Sequence, residues 1–347
     1  MLTVAVAGGG TAGHIEPAMA VADALMKTGE VAKVVALGTP RGLEKDLVPA
    51  RGYELCMIDP VPVPRKINKD LFTLPFRVLK AIRQTKKNLA DVDVVIGFGG
   101  YVSAPAYLAS KSLKKPFFVH EANARAGMAN KLGIKLGGRG LNSVENSGIP
   151  GPVVGVPIRN SFETLDMSRE QACALWGLDP AKPVVLVTGG SQGAQSINRA
   201  VEAIAGTERT YQILHAYGKK NAAPTAAPGY VPVPYIDNMP AALRAADIVL
   251  CRCGAMTVAE VTQAHVPAIY IPLPIGNGEQ ALNAKPVVAA GGAVLHEDAW
   301  LKDADLNAEI LSVLSKREAM AAALANYPGR DAAGTIARMI IDGVKGK

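Results

Sequence analysis

Cysteine is scarce in this chain of 347 residues, which contains only four, all far apart except for one close pair. So few cysteines cannot supply the disulfide framework of a small secreted domain. Cys251 and Cys253 are separated by one residue, but no second pair and no histidine cluster accompanies them, so a zinc site is not expected. These absences predict a reduced, cytosolic protein.

Long apolar runs are also missing. No stretch approaches the roughly 18 uninterrupted apolar residues of a membrane-spanning helix. The first residues carry no basic segment ahead of their apolar residues, as an export signal does. We therefore expect neither a spanning helix nor a leader peptide.

Acidic residues are sparse in the first half of the chain. Residues 1–160 carry 21 Lys and Arg against 12 Asp and Glu, a net charge of +9, whereas residues 161–347 carry 16 against 18, a net charge of −2. A basic half indicates an anionic partner. Aromatic residues make up only 5% of the chain and rarely alternate with the basic ones, which argues against nucleic acid and leaves an anionic membrane surface.

Residues 65–87 concentrate this positive charge, with eight Lys and Arg and one Asp. Pro75 is expected to open an amphipathic helix there. Its predicted inner stripe is Val78, Leu79, Ile82 and Leu89, its outer face Arg77, Lys80, Gln84 and Lys87, and its flanking apolar group Leu71, Phe72, Leu74 and Phe76. Apolar side chains surrounded by cations suit docking on anionic lipid. An ordinary helix with a solvated charged face is the alternative.

Short apolar segments alternate with helical periodicity along most of the chain, as in parallel βαβ units. The predicted strands are Leu2–Ala7, Val34–Leu37, Val94–Gly97, Phe117–His120, Val184–Thr188, Tyr211–His215, Ile248–Cys251 and Ala268–Ile271. The pattern occurs twice, and in each half two strands end in a glycine-rich loop. We therefore predict an α/β protein with two Rossmann-like domains, residues 1–159 and 160–330, which face each other across a cleft.

The first glycine-rich loop, Gly8–Gly13, is a literal G-x-G-x-x-G sequence. A dinucleotide site also needs an acidic residue at the end of the second strand, but Gly38-Thr39-Pro40-Arg41 follows that strand and Glu44 lies in the next segment. A P-loop is excluded because no Gly-Lys-Ser/Thr follows. The dinucleotide interpretation therefore fails.

What remains is a loop followed by a helix that Pro17 is expected to begin. Its free amides and positive dipole end suit an anion or a developing negative charge. The same dipole should lower the proton affinity of His14 and favour the neutral imidazole that a general base needs. A tight turn capped by His14 is the alternative.

The second loop, Gly189–Ala194, adds a serine hydroxyl to its backbone donors and can bind a diphosphate without a metal. Two Asp-x-Asp triplets, at 91–93 and 303–305, lie before a strand and in a polar helical tail, so they suit solvated or capping positions. We expect no metal ion and no cofactor.

Seven ordered sequence blocks resemble the MurG family of bacterial glycosyltransferases. They are GGGTAGHIEPA (8–18), GFGGYVSAP (97–105), HEAN (120–123), GVPIR (155–159), GGSQGAQSIN (189–198), CRCGAMTVAE (251–260) and GEQALNA (278–284). The resemblance implies the two-domain GT-B fold, with a final helix at 331–347 that packs back towards the N-terminal domain. It also implies an inverting transfer of N-acetylglucosamine from UDP-N-acetylglucosamine to the C4 hydroxyl of a lipid-linked muramyl-pentapeptide. The enzyme would act in peptidoglycan synthesis, as a peripheral protein on the cytoplasmic face of the membrane.

The same resemblance implies a role for individual residues. His14 would be the base, with Glu121 as the second choice. The donor sugar would be bound by Thr11, Ala12, Gly13, Asn123 and Gln280, the nucleotide by Arg159, Ser191, the backbone of Ile236, and Glu260, and the diphosphate by Ala255, Met256 and Thr257, whose segment continues through Val258 and Ala259. Tyr101, Asn130 and Arg252 would contact the acceptor or support the site.

Several of these residues also have ordinary structural explanations. Arg159 can be an ion-pair partner near the hinge, and Asn123 a turn former. The chain departs from the family at Ala12, where a glycine is common, at Glu16, where an aromatic residue is frequent, and at Glu279, where His or Gln is frequent. An enzyme with another nucleotide sugar or lipid acceptor, and a non-catalytic UDP-sugar-binding protein, remain alternatives.

Overall fold

Two compact units make up the chain: Met1–Arg159 together with Arg330–Lys347, and Asn160–Gly329. We call them unit 1 and unit 2. The computed structural model describes residues 1–40, 42–61, 69–159, 165–275, 278–327 and 331–346, apart from the side chains of residues 12 and 69–73.

Unit 1 begins with alternating strands and helices. They are β1 (Leu2–Ala7), α1 (Ala12–Lys27), β2 (Val31–Gly38), α2 (Glu44–Ala50), β3 (Glu54–Met57), α3 (Lys69–Asn88), β4 (Val94–Gly97), α4 (Gly100–Ser112), β5 (Phe117–Glu121), α5 (Met128–Lys135) and β6 (Arg139–Asn142).

Unit 2 repeats this alternation. Its elements are α6 (Arg169–Ala174), β7 (Val184–Thr188), α7 (Gln195–Ala205), β8 (Gln212–Ala216), β9 (Tyr230–Val233), α8 (Met239–Ala245), β10 (Ile248–Cys251), α9 (Ala255–Gln263), β11 (Ala268–Tyr270), α10 (Glu279–Ala289), β12 (Ala293–Leu295), a 3-10 helix (Asp298–Lys302) and α11 (Leu306–Ala325).

The last helix, α12 (Ala332–Lys345), returns to unit 1 and packs against α1. Its apolar stripe, Ile336, Ala337, Ile340 and Ile341, is buried in one cluster with Val4 and Leu25. Spacing at i, i+1, i+4 and i+5 gives one apolar helix face, and burying that face ties the end of the chain to its beginning.

Each unit holds one six-stranded sheet in which every pairing is parallel. The strand orders are β3-β2-β1-β4-β5-β6 and β12-β11-β10-β7-β8-β9. Helices follow the strands along the chain, and the inner strands are buried runs of Val, Ala, Ile and Leu. The predicted α/β class with two Rossmann-like domains is confirmed.

The predicted starts of two helices were wrong. Helix α1 begins at Ala12 and contains Pro17, because the carbonyl of Thr11 already accepts hydrogen bonds from the amides of His14 and Ile15. Helix α3 begins at Lys69 and contains Pro75. Both prolines lie in the second turn, where the missing N–H removes one intrahelical hydrogen bond, so they mark these helices without opening them.

The predicted inner stripe of α3 was also wrong in part. Leu79 is 44% exposed, and Ala81, Thr85 and Leu89, spaced four residues apart, form the buried line. The stripe is therefore displaced around the helix from the one that the apolar residues suggested, because small Ala and Thr side chains allow closer packing against the unit. The part of the basic segment at 65–68 lies outside the described residues.

Candidate active site

Two glycine-rich loops leave neighbouring strands of unit 1. Strand β1 ends at Ala7, which pairs with Gly97 at the end of β4. The strand order reverses between these two strands, and parallel α/β sheets bind ligands at such a switch point. Ser103 joins the loops, because its hydroxyl oxygen accepts the amide of Gly99 at 3.0 Å and lies 2.8 Å from the carbonyl oxygen of Ala7.

The first loop needs glycine for space and for backbone conformation. Gly10 has φ of +92°, and a Cβ at this position would lie 2.8 Å from the ring of Tyr101. A Cβ on Gly8 would lie 2.2 Å from the carbonyl oxygen of His14. The glycines therefore bring β1, α1 and the start of α4 together more closely than other residues permit.

A buried carboxylate occupies the inner side of this loop. Glu44, at the start of α2, has no exposed surface, and its oxygens accept the amide of Gly10 at 3.1 Å and the amide and hydroxyl of Thr39 at 2.9 and 3.0 Å. A phosphate bound to the Gly10 amide would compete with this carboxylate for a donor and be repelled by its charge. The structure therefore gives a second reason against a dinucleotide site here.

His14 lies in the first turn of α1, between the two loops. Its Nδ1 is 3.0 Å from the hydroxyl of Thr11. On the other side, a Cβ on Gly99 would lie 3.3 Å from Nε2 of the ring. Burial lowers the pKa of His14 below its usual 6.5, although the charge of Glu121 and a hydrogen bond to the Gly9 backbone act in the opposite direction. The ring is therefore neutral near pH 7, as a general base must be.

Glu121, the second choice for the base, is buried at the end of β5. Its carboxylate accepts hydrogen bonds from the amides of Asn123 at 2.9 Å and Gly127 at 3.0 Å, and from the side chain of Asn130 at 2.8 Å. These donors already occupy the lone pairs that a base would use. The geometry therefore favours His14 as the base and gives Glu121 the tasks of shaping the 122–130 segment and placing a negative charge near the ring.

The remaining unit 1 candidates differ in their access to solvent. Asn130 is buried, accepts the hydroxyl of Tyr107 at 2.9 Å and donates to the carbonyl of His120 at 3.0 Å, so it supports the site from inside. Tyr101 is exposed at the start of α4, beside the first loop. Asn123 is partly buried, and its side chain reaches Glu121 at 3.3 Å. Tyr101 is thus the one best placed to contact a ligand.

Arg159 is held by Glu16. Its Nε donates to Glu16 Oε2 at 2.7 Å, and its Nη2 donates to Oε1. Arg159 is therefore an ion-pair partner, as its ordinary structural explanation expected. The GVPIR block, which ends at Arg159, is also held at its first residue. Nε2 of the buried His120 ring lies 2.9 Å from the carbonyl oxygen of Gly155.

Unit 2 has the same arrangement of loops at its own switch point. Strand β7 ends at Thr188, which pairs with Cys251 at the end of β10. Helices α7 and α9 begin after these strands, and neither N-cap residue, Ala194 or Gly254, caps its helix with a side chain. The first amides of both helices therefore point to one edge of the sheet, where they can bind an anion.

The predicted donor-binding residues of unit 2 lie along these loops and helices. Ser191 is exposed in the loop after β7, whereas Ala255, Met256, Thr257, Ala259 and Glu260 are partly buried on α9 and Val258 is buried. Thr257 and Glu260 are three residues apart and share a helix face. The side chain of Ile236 is buried, so only its backbone is available to a ligand. Gln280 accepts the amide of Leu273 at 3.0 Å.

Arg252 lies inside unit 2 and links the ends of several elements. Its guanidinium donates to Ser196 Oγ at 2.9 Å, to the carbonyl of Pro272 at 2.9 Å and to that of Ile271 at 3.2 Å, and it pairs with Asp298 at 2.6 Å. These contacts hold the starts of α7 and α9 in place. The acceptor contact expected of Arg252 stays a prediction.

Across the ranges that the structure describes, no group of three or more His, Cys, Asp or Glu side chains could hold a metal ion. In the same ranges no helix has the length and apolarity to cross a membrane.

Sequence reasoning missed Glu44 and Ser103, which hold the unit 1 loops. Glu44 does not fit the position of a ribose ligand, and Ser103 lies in a sequence block in which no role attaches to it. Their function depends on contacts with residues 34 and 96 positions away along the chain. No local spacing could have revealed it.

Comparison with known proteins gives matches along most of the chain. Residues 4–136 match the glycosyltransferase family 28 N-terminal domain, and residues 184–336 match the family 28 C-terminal domain. A relative from Corynebacterium diphtheriae is 61% identical over 90% of this chain and 87% of its own length. One from Mycolicibacterium smegmatis is 52% identical over 98% of this chain and 94% of its own. Both are named UDP-N-acetylglucosamine--N-acetylmuramyl-(pentapeptide) pyrophosphoryl-undecaprenol N-acetylglucosamine transferase.

A solved structure agrees with these relatives. The crystal structure of Acinetobacter baumannii MurG superposes with a TM-score of 0.76 at 28% identity, and the match covers 99% of this chain and all of that one. The match includes both units, so it extends over the whole fold.

Replacing Glu44 by Gln should destabilise the protein. The Gln side chain presents an NH₂ group where Glu44 accepts the Gly10 amide, and a buried donor left without an acceptor costs about 1–3 kcal/mol. We expect the free energy of unfolding to fall by about that amount in urea titrations followed by circular dichroism. Asp46→Asn removes the same charge from an exposed position of the same helix and should change it by less than about 0.5 kcal/mol. Equal effects of the two changes would contradict the role assigned to Glu44.

Proposed function

The chain belongs to glycosyltransferase family 28, and from that premise we propose that it transfers N-acetylglucosamine from UDP-N-acetylglucosamine to the muramyl C4 hydroxyl of undecaprenyl-pyrophosphoryl-muramyl-pentapeptide. The product is the disaccharide lipid precursor of peptidoglycan. The observation that carries the chemistry is the position of the His14 ring at the switch point of unit 1, with Nδ1 3.0 Å from the Thr11 hydroxyl and Nε2 towards Gly99.

The proposed reaction is a single displacement with inversion at the anomeric carbon. In the tautomer that carries its hydrogen on Nδ1 and donates it to the Thr11 hydroxyl oxygen, Nε2 accepts the proton of the acceptor hydroxyl. The hydroxyl oxygen forms the new bond to the anomeric carbon, and the bond from that carbon to the UDP oxygen breaks. The charge of Glu121 stabilises the imidazolium that forms. Tyr101, at the edge of the same loop, contacts the acceptor, and Asn130 supports Glu121.

Donor-binding groups are proposed in each unit taken by itself. In unit 2, Ser191 and the first amides of α9 at Ala255, Met256 and Thr257 bind the diphosphate and stabilise the departing UDP. The backbone of Ile236 binds uracil, Glu260 accepts hydrogen bonds from the ribose, and Gln280 binds sugar hydroxyls. In unit 1, the backbone of Thr11–Gly13 and the side chains of Asn123 and Arg159 complete the set. Helix-terminal amides supply positive charge, so the scheme needs no metal ion.

The exposed face of α3 is proposed to bind the anionic cytoplasmic surface of the membrane. Phe76 is 76% exposed and Leu79 44%, and the cations Lys80, Arg83 and Lys87 lie on the same face. Spacing of three or four residues puts all five side chains along one line of the helix. An exposed Phe surrounded by cations suits a shallow site in the lipid headgroup region, where each cation adds about 1 kcal/mol. A peripheral protein with a lipid-linked acceptor needs such a surface.

A transfer assay tests the proposed activity. Radiolabelled UDP-N-acetylglucosamine is incubated with a short-chain analogue of the lipid-linked muramyl-pentapeptide, beside parallel reactions with other UDP-sugars and with a diacylglycerol acceptor. We expect label in the disaccharide product only with the first pair. Transfer from another donor or to the other acceptor would replace the proposed substrates. Binding of UDP-N-acetylglucosamine without any transfer would indicate a non-catalytic protein.

His14→Gln should lower kcat by about 10²- to 10⁴-fold, the range for loss of a general base. Because burial lowers the pKa of His14, wild-type kcat/KM should be flat near neutral pH and fall only as the pH drops below 6.5, where the imidazole becomes protonated. His265→Asn, at an exposed histidine of unit 2 with positive φ that Asn tolerates, is the control and should keep both rate and pH profile. Retention of near-full kcat by His14→Gln would remove the base assignment.

Replacing both Phe76 and Leu79 by Ser should weaken binding to vesicles rich in phosphatidylglycerol by about tenfold or more. The reason is that two apolar side chains, exposed in the free protein and buried in the lipid on binding, are lost from the contact. Co-sedimentation with the vesicles measures the bound fraction of the protein, which should decline as salt screens the cations. Leu311→Ser removes a 41% exposed leucine from α11 and should bind as wild type. Unchanged sedimentation of the double variant would exclude this face.

A further inference from the structure

Glu16 is a buried carboxylate that bridges two arginines. It lies on α1 two residues after His14 and is 8% exposed. Oε2 accepts Arg159 Nε at 2.7 Å and Arg51 Nη2 at 2.9 Å, while Oε1 accepts Arg159 Nη2. Both oxygens are therefore engaged by guanidinium groups, whose charge and hydrogen bonds offset the cost of burying the carboxylate.

Arg51 has further support. Its Nη1 lies 3.4 Å from Asp23, whose other oxygen accepts the hydroxyl of Tyr53 at 2.7 Å. The cluster thus contains two carboxylates and two guanidinium groups. We call Glu16 and the two arginines that it bridges, Arg51 and Arg159, the clamp.

The clamp uses only one edge of the Arg159 guanidinium. To the residues that the structure describes, Arg159 donates through Nε and Nη2, which leaves Nη1 for another acceptor. The side chain is 37% exposed, so Arg159 is accessible to a ligand. A bidentate pair fixes the plane of a guanidinium, and a donor already oriented loses less entropy when it binds an anion.

We propose that Glu16 is a positioning residue for donor binding, which holds Arg159 so that its Nη1 edge contacts the UDP part of the donor. The proposal rests on the function proposed above, in which Arg159 contacts the nucleotide. Glu16 itself does not touch the substrate. A carboxylate that merely competed with UDP for Arg159 would have the opposite effect, since its removal would strengthen binding.

Glu16→Gln tests this directly, since glutamine keeps the size but has one acceptor oxygen for the two donors of Arg159. Calorimetry with UDP alone should show about tenfold weaker binding. With full substrates, the KM for UDP-N-acetylglucosamine should rise about as much, while kcat and the KM for the lipid acceptor stay within about twofold, a split that general loosening of the fold does not produce. In an Arg159→Lys background, Glu16→Gln should add no further loss, because Glu16 acts through Arg159.

Asp23→Asn is the matched control, because it removes a carboxylate of the same cluster that does not contact Arg159; its UDP affinity should equal that of wild type. Thermal melting checks the folding of each variant. Should Glu16→Gln be unfolded, Glu16→Asp, which keeps the charge but is too short for the bidentate pair, should weaken UDP binding in its place. Unchanged or tighter UDP binding by the folded variant, or an equal loss with Asp23→Asn, overturns the proposal.

Failure of the proposed function gives a different result. A wild-type protein that binds UDP but transfers no N-acetylglucosamine contradicts the function, while the UDP affinities still decide the role of Glu16. A wild-type protein that does not bind UDP overturns both.

Discussion

Neighbouring parallel strands that end at the same level impose the arrangement of the glycine-rich loops and of the helix starts that follow them. Ala7 is level with Gly97 in one sheet, and Thr188 with Cys251 in the other. Each of these strands lies next to the point where the strand order reverses, so the following loops diverge to opposite faces and leave a crevice. Glycine in the loops and small residues at the helix starts keep that crevice open. Side-chain chemistry then differentiates the two crevices.

The crevices of the two units differ in the buried charge beside them. In unit 1, Glu44 and Glu121 are held close to the loops by amides and hydroxyls rather than by cations, so both retain their negative potential. That potential repels a phosphate but stabilises a histidine that gains a proton during reaction. In unit 2, the corresponding helix starts are uncapped by side chains, and the buried Arg252 lies beneath them. One unit is therefore suited to a base, the other to an anion.

Sequence patterns predicted the inner strands of both sheets and missed four strands: Glu54–Met57, Arg139–Asn142, Tyr230–Val233 and Ala293–Leu295. All four are edge strands. An inner strand of a parallel sheet is buried on both faces and reads as an apolar run, whereas an edge strand is short, partly exposed and accepts polar residues, glycine or proline. The strands beside the switch points were predictable, and with them the positions of the loops that carry the candidate residues.

Sequence blocks found candidate residues without separating those that contact a ligand from those that hold the site together. Arg252 lies in a quoted block just as Ser191 and Tyr101 do, yet it is buried in a hydrogen-bond network whereas the other two are exposed beside loops. Burial depends on contacts between distant parts of the chain, which local spacing does not encode. Glu16 shows the converse case. The sequence pattern gives it no role, and its contacts with Arg51 and Arg159, 35 and 143 positions away, explain how a carboxylate is held in the interior of the unit.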